Sequence, residues 1–107
     1  MKQNTILILG GYGNVGLAIS RLLVGQTKVR IILAGRNGKR AQSAAEQLNA
    51  EFKTDCFSGM QVNAADKASL MQAFKNIQMV VVASSTIEFA QIVAEAALES
   101  GIDYFDI

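Results

Sequence analysis

From Ile6 to Gly16 the chain reads ILILGGYGNVG, a run that fits a buried strand, a glycine turn and the opening of a helix. The unbroken apolar stretch Ile6-Leu7-Ile8-Leu9 suits a strand covered on both faces. Gly11, Gly13 and Gly16 then follow the spacing G-x-G-x-x-G. In that pattern the first glycine permits a tight turn and the second lets the backbone approach a pyrophosphate. The third lets the helix pack closely on the strand. The backbone N–H groups of Tyr12, Asn14 and Val15 are expected to face that pyrophosphate at the positive end of the helix.

A dinucleotide is the ligand this pattern predicts, and the next strand says which one. Val29–Leu33 (VRIIL) is short, apolar and β-branched, and Ala34-Gly35-Arg36-Asn37 follows it. About twenty residues past the last glycine, NAD-binding folds keep an acid that grips the ribose 2′-hydroxyl. Here that place holds Arg36, and no Asp or Glu occurs before Glu46. A carboxylate would repel a 2′-phosphate, whereas a guanidinium donates two parallel charge-assisted hydrogen bonds to it. Such bonds contribute about 1.5–3 kcal/mol, enough for roughly tenfold to hundredfold discrimination. The expected cofactor is therefore NADP(H), with NAD less favoured. Asn37, Lys39 and Arg40 stand at the next helix N-terminus, where an anion is further favoured.

Charge is distributed accordingly. The net charge is only +1, yet residues 1–45 carry seven bases and no acid, while residues 46–107 carry three bases and nine acids. The basic half coincides with the glycine loop and the second strand. A nucleic-acid binder would instead show basic residues interleaved with exposed aromatics, and this chain has no Trp and few aromatics outside core positions. No His and a single Cys, Cys56, argue against a zinc or iron–sulfur site and against a disulfide framework. The apolar start is too short for a signal peptide and no run reaches membrane-spanning length, so a cytoplasmic protein with no membrane or nucleic-acid partner is expected.

Along the 107 residues, taken as one domain, elements alternate. Strands are expected at Thr5–Leu9, Val29–Leu33, near Met60–Val62, at Met79–Ala83 and at Ile102–Ile107. Helices are expected from Asn14 to Val24 with Gly25 ending the first, over Gly38–Leu48, over Lys67–Phe74 capped by Asp66, and from Thr86 to Glu99 with Gly101 as a left-handed cap. This βαβαβαβαβ order predicts an α/β, doubly wound (Rossmann) parallel sheet of five strands in the order 3-2-1-4-5, with helices on both faces. Ligands of such sheets bind outside the carboxyl ends of strands one and four. The open sheet edges leave room for a homodimer.

Three further positions fall near that crevice. Asn63, after strand three, is placed to hydrogen-bond the adenine amine. Ser84 or Ser85, after strand four, can reach a ribose or the pyrophosphate, with helix capping by Ser85 or Thr86 as the competing role. Asp106, near the end of strand five, can approach the nicotinamide region. No catalytic constellation is present: neither Tyr12 nor Tyr104 has a Lys four residues on, as short-chain dehydrogenases require. The chain by itself is expected to be inactive.

The segments ILGGYGNVG, IILAGRNGKRAQSAAEQL, MVVVASS and AEAALESGIDYFDI together resemble the N-terminal NADP-binding domain of the saccharopine dehydrogenase-like family over the whole chain. The A-G-R-N segment and the closing G-x-x-Y-x-D carry most of that resemblance. It implies a cofactor domain of an NAD(P)-dependent oxidoreductase whose substrate is held by a further domain. Two departures stand out: Ala83-Ser84-Ser85 replaces the Asn-Ala-Gly or Ala-Gly-Pro often found after strand four, and Asn63 stands where an Asp is frequent. Because Gly10, Gly13 and Gly16 also satisfy G-x-x-G-x-x-G, the spacing of short-chain and NmrA-like proteins, a non-enzymatic NADP-sensing module is the alternative.

Overall fold

The computed structural model describes residues 4–26, 28–83 and 89–106. Its elements run β1 (Asn4–Leu9), α1 (Asn14–Gln26), β2 (Val29–Gly35), α2 (Gly38–Phe52), β3 (Phe57–Gln61), α3 (Lys67–Ala73), β4 (Met79–Val82), α4 (Ala90–Ser100) and β5 (Asp103–Asp106). The strands form one parallel sheet in the order β3-β2-β1-β4-β5, as the alternation of elements predicts.

Strand alternation sorts the core into two layers. Ile8, Ile31, Leu33 and Val81 point to the face covered by α1 and α2, where Ala45, Leu48, Leu17 and Leu23 meet them. Leu7, Leu9, Val80 and Val82 point to the opposite face, against Leu70 and Ala73 of α3 and Val93, Ala96 and Ala97 of α4. With both faces covered, the central strands need apolar residues at every position, which is why β1 and β4 read as continuous hydrophobic runs.

Several boundaries differ from the sequence reading, each for a local reason. α1 continues through Gly25 to Gln26, so Gly25 takes a helical conformation and is not the stop. α2 runs past Leu48 because Ala50 and Glu51 sustain the helix, until Lys53 turns it off at φ +52° with its N–H on the Asn49 carbonyl. β3 lies earlier than Met60–Val62. Asn49 fixes its start, accepting from the Phe57 N–H and donating to the Phe57 carbonyl, both at 3.0 Å. Asp66 caps α3 as expected, accepting from the Ala68 N–H at 3.0 Å. Gly101 ends α4 at φ +70°. The expected helix start at Thr86 lies outside the described residues.

Candidate functional site

β1 and β4 pair side by side, with Ile6 opposite Met79 and Leu9 opposite Val82. The helices after them leave to opposite faces, so the carboxyl ends of the two strands part into a crevice. A cavity of about 540 Å³ occupies it, bounded by Leu9, Gly10 and Gly13, by Gly35 and Arg36, and by Val82 and Phe89 among others. That volume is in the range of sites that hold small molecules and cofactors, roughly 300–1,000 Å³. A second cavity of about 390 Å³ adjoins it, lined by Arg36, Gln61, Val62, Asn63 and Ala65.

The glycine loop divides its work differently from the spacing rule. The positive φ lies at Gly10 (+81°), so Gly10, and not Gly11, makes the turn. The Gly10 and Gly11 N–H groups both donate to the Ala34 carbonyl, at 2.8 and 3.3 Å, which anchors the turn to β2. A Cβ on Gly11 would stand 2.8 Å from the Ile8 carbonyl oxygen and 2.9 Å from Leu33 Cα. One on Gly16 would meet the Gly10 oxygen at 2.6 Å. At Gly13 the only neighbour is the Gly10 oxygen at 3.4 Å, and the residue is exposed. Gly11 and Gly16 therefore fold the loop, while Gly13 keeps an open backbone face toward the crevice. All four glycines are used, so the two spacings read from the sequence are both present in one loop.

The first intrahelical bond of α1 runs from the Leu17 N–H to the Gly13 carbonyl at 2.9 Å. The N–H groups of Asn14, Val15 and Gly16 precede it, at the positive end of the helix. Asn14 and Val15 are exposed there, and Tyr12 is half-buried at the crevice wall.

At the end of β2, Arg36 is exposed and borders both cavities, its guanidinium carbon 6.0 Å from the centre of the Phe89 ring. Asn37 is the N-cap of α2, its Oδ1 accepting from the Arg40 N–H at 3.1 Å. Its own N–H donates to the Tyr12 phenol oxygen at 3.1 Å. Arg40 lies over the Tyr12 ring, 5.0 Å from its centre. Among the described residues the ion pairs are Arg21 with Glu51 and Lys67 with Glu99, both exposed and away from this corner. Arg36 and Arg40 thus carry positive charge with no carboxylate on it among those residues.

Asn63 lines the second cavity, with its Oδ1 accepting from the Ala65 N–H at 3.0 Å and its N–H donating to Ser69. Its carboxamide closes a turn ahead of α3, and the amide NH2 end is what it has left to offer. Ser84 lies outside the described residues. Asp106 accepts from the Tyr104 hydroxyl at 3.2 Å and is not among the residues that border the crevice. Three contributors escaped the sequence reading: the Tyr12 side chain, the stacking of Arg40 on it, and Phe89. The one signal available for them was an aromatic residue inside a glycine loop.

A glycine cradle that side chains would fill, a helix N-terminus, an open crevice and uncompensated arginines fit a phosphorylated dinucleotide. The architecture is that of the dinucleotide-binding doubly wound folds. The family model described as saccharopine dehydrogenase NADP binding domain matches residues 6–107, and the chain belongs to that family. It is 31% identical over 101 residues to the spectinabilin polyketide synthase system protein NorB of Streptomyces orinoci, covering 92% of this chain and 5% of that protein. Among solved structures it is similar to apo saccharopine dehydrogenase (L-Glu forming) from Saccharomyces cerevisiae. The TM-score is 0.80 at 17% identity, over 96% of this chain and 21% of that one. A wide-type short-chain dehydrogenase/reductase from Veillonella parvula, solved in complex with NADP, gives 0.75 at 20% identity, over 98% of this chain and 47% of that one. The chain thus spans a small part of the first two proteins and about half of the third. No helix among the described residues is long and apolar enough to cross a membrane.

Proposed function

We propose that this chain binds NADP(H) in the crevice between β1 and β4, in preference to NAD, as the cofactor domain of a longer oxidoreductase. The observation that carries this reading is Arg36, which borders both cavities with no carboxylate on its guanidinium among the described residues. Gly11, Gly13 and Gly16 shape the loop that receives the pyrophosphate, and the N–H groups of Tyr12, Asn14 and Val15 donate to it. Arg36 takes the 2′-phosphate. Asn37 holds the start of α2 in place beside it, Asn63 borders the adenine with its amide NH2, and Ser84, two positions after Val82 in sequence, contributes a hydroxyl.

When bound, the nicotinamide supplies or accepts a hydride. The residues of this chain bind and orient the cofactor, and the substrate is held by a further part of the parent enzyme. A cytoplasmic setting is consistent with a single free cysteine, Cys56. The outer strand β5 carries the exposed Phe105, and on that edge two copies would pair as a homodimer.

The test is titration of the chain with NADPH, followed by nicotinamide fluorescence, and an assay for turnover with imine and carbonyl substrates. Saturable binding at one site without turnover is expected. Clear turnover by the chain alone contradicts the division of labour proposed here.

A further inference from the structure

We propose that Tyr12 sets the preference for the phosphorylated cofactor by holding Arg40 as a second ligand of the 2′-phosphate. This rests on the NADP(H) reading and deepens it. Tyr12 belongs to the glycine loop, yet its ring lies against the end of β2: a Cβ on Gly35 would stand 2.6 Å from the phenol oxygen. The phenol accepts the Asn37 N–H at 3.1 Å, and the ring carries the Arg40 guanidinium on its face at 5.0 Å.

Two consequences follow from that geometry. Two of the backbone donors that open α2 are already engaged, Asn37 N–H on Tyr12 and Arg40 N–H on the Asn37 side chain, which leaves those of Gly38 and Lys39. An anion at this corner then relies on side chains for the rest of its hydrogen bonds. A guanidinium resting on an aromatic ring, unlike one paired with a carboxylate, keeps its N–H donors for such an anion. Arg40 is in that condition and so is Arg36, which rests on Phe89. In sequence one cation precedes the helix cap Asn37 and the other follows it. Tyr12 is the positioning residue that fixes one of them, and it connects the loop for the pyrophosphate to the corner for the 2′-phosphate.

The experiment measures the dissociation constants of NADPH and NADH for the chain and for Tyr12→Phe, Tyr12→Leu, Arg40→Gln and the Tyr12→Leu/Arg40→Gln pair. Tyr12→Phe keeps the ring under Arg40 and should keep most of the preference for NADPH. Tyr12→Leu should lower that preference by roughly two- to fivefold, the scale of an exposed cation–π contact, weakening NADPH more than NADH. Arg40→Gln should lower it by roughly tenfold, the scale of a hydrogen bond to a charged group, and the double variant should add little to that.

Equal weakening of both nucleotides by Tyr12→Leu means that the ring only shapes the loop, and overturns the proposal. Arg40 is exposed, so Arg40→Gln folds even where Tyr12→Leu does not; an unchanged preference in that variant overturns the proposal by itself. A wild-type chain that prefers NADPH while these variants behave like it refutes only the role of Tyr12 and Arg40. A wild-type chain that binds neither nucleotide refutes the cofactor reading and this inference with it.

Discussion

Gly16 rests against Gly10 so closely that a Cβ on it would lie 2.6 Å from the Gly10 carbonyl oxygen. The obstacle is backbone, and it is the turn that Gly10 makes at φ +81°, so the loop cannot yield without losing its shape. Gly16→Ala should destabilise the chain by about 1–3 kcal/mol, the usual cost of overpacking, as read by urea unfolding. Gly13→Ala meets that oxygen only at 3.4 Å. It should leave the unfolding midpoint nearly unchanged and weaken NADPH binding, which separates the folding glycine from the ligand-facing one.

Gly25 offers the opposite outcome. It lies inside α1 with open space where a Cβ would be. Gly25→Ala should stabilise the protein by about 0.5–1 kcal/mol. A thermal scan that shows no gain would mean the last turn of α1 is not helical.

The cap of α3 is a third test. Asp66 accepts the Ala68 N–H at 3.0 Å at the start of a helix of seven residues. Asp66→Ala should cost about 1 kcal/mol, while Asp66→Asn, which keeps the acceptor, should cost less.

Tyr104 gives a pH signature. Its burial, the Asp106 charge and the hydrogen bond it donates to Asp106, in that order, raise its pKa above the usual 10.0. A group whose folded pKa is raised contributes stability that is intact below the unfolded pKa and is lost as pH rises through the folded one. The window therefore opens near pH 10 and extends upward. Asp106→Asn removes the charge and should move the phenol back down. In a Tyr12→Phe background Tyr104 is the only tyrosine left, so near-ultraviolet absorbance against pH reads this shift directly. An unchanged titration midpoint would show that Asp106 does not act on Tyr104.

The strand order and the crevice were legible because β1, β2 and β4 announce themselves as short apolar runs joined by helix-length segments. Element ends were less legible. The start of β3 depends on Asn49 bonding both backbone groups of Phe57, a contact that no local propensity encodes. α1 continues through Gly25 because packing of Leu23 and Val24 on the sheet outweighs the glycine. In the site, glycine spacing located the loop but misassigned the turn, since Gly10 supplies the positive φ that was expected of Gly11. The residue type at Arg36 was readable from its interval after the glycines. The placement of Tyr12 over Gly35 and of Arg36 over Phe89 was not, because each joins segments more than twenty residues apart and arises only when the sheet forms.

The most direct test of the cofactor assignment is calorimetric titration of the chain with NADPH and with NADH, repeated on Arg36→Ala. NADPH should bind the wild-type chain at least roughly tenfold tighter than NADH, the scale of one hydrogen bond to a charged group, and the substitution should remove that difference while leaving NADH binding intact. Equal affinity of the wild-type chain for the two nucleotides would contradict that assignment.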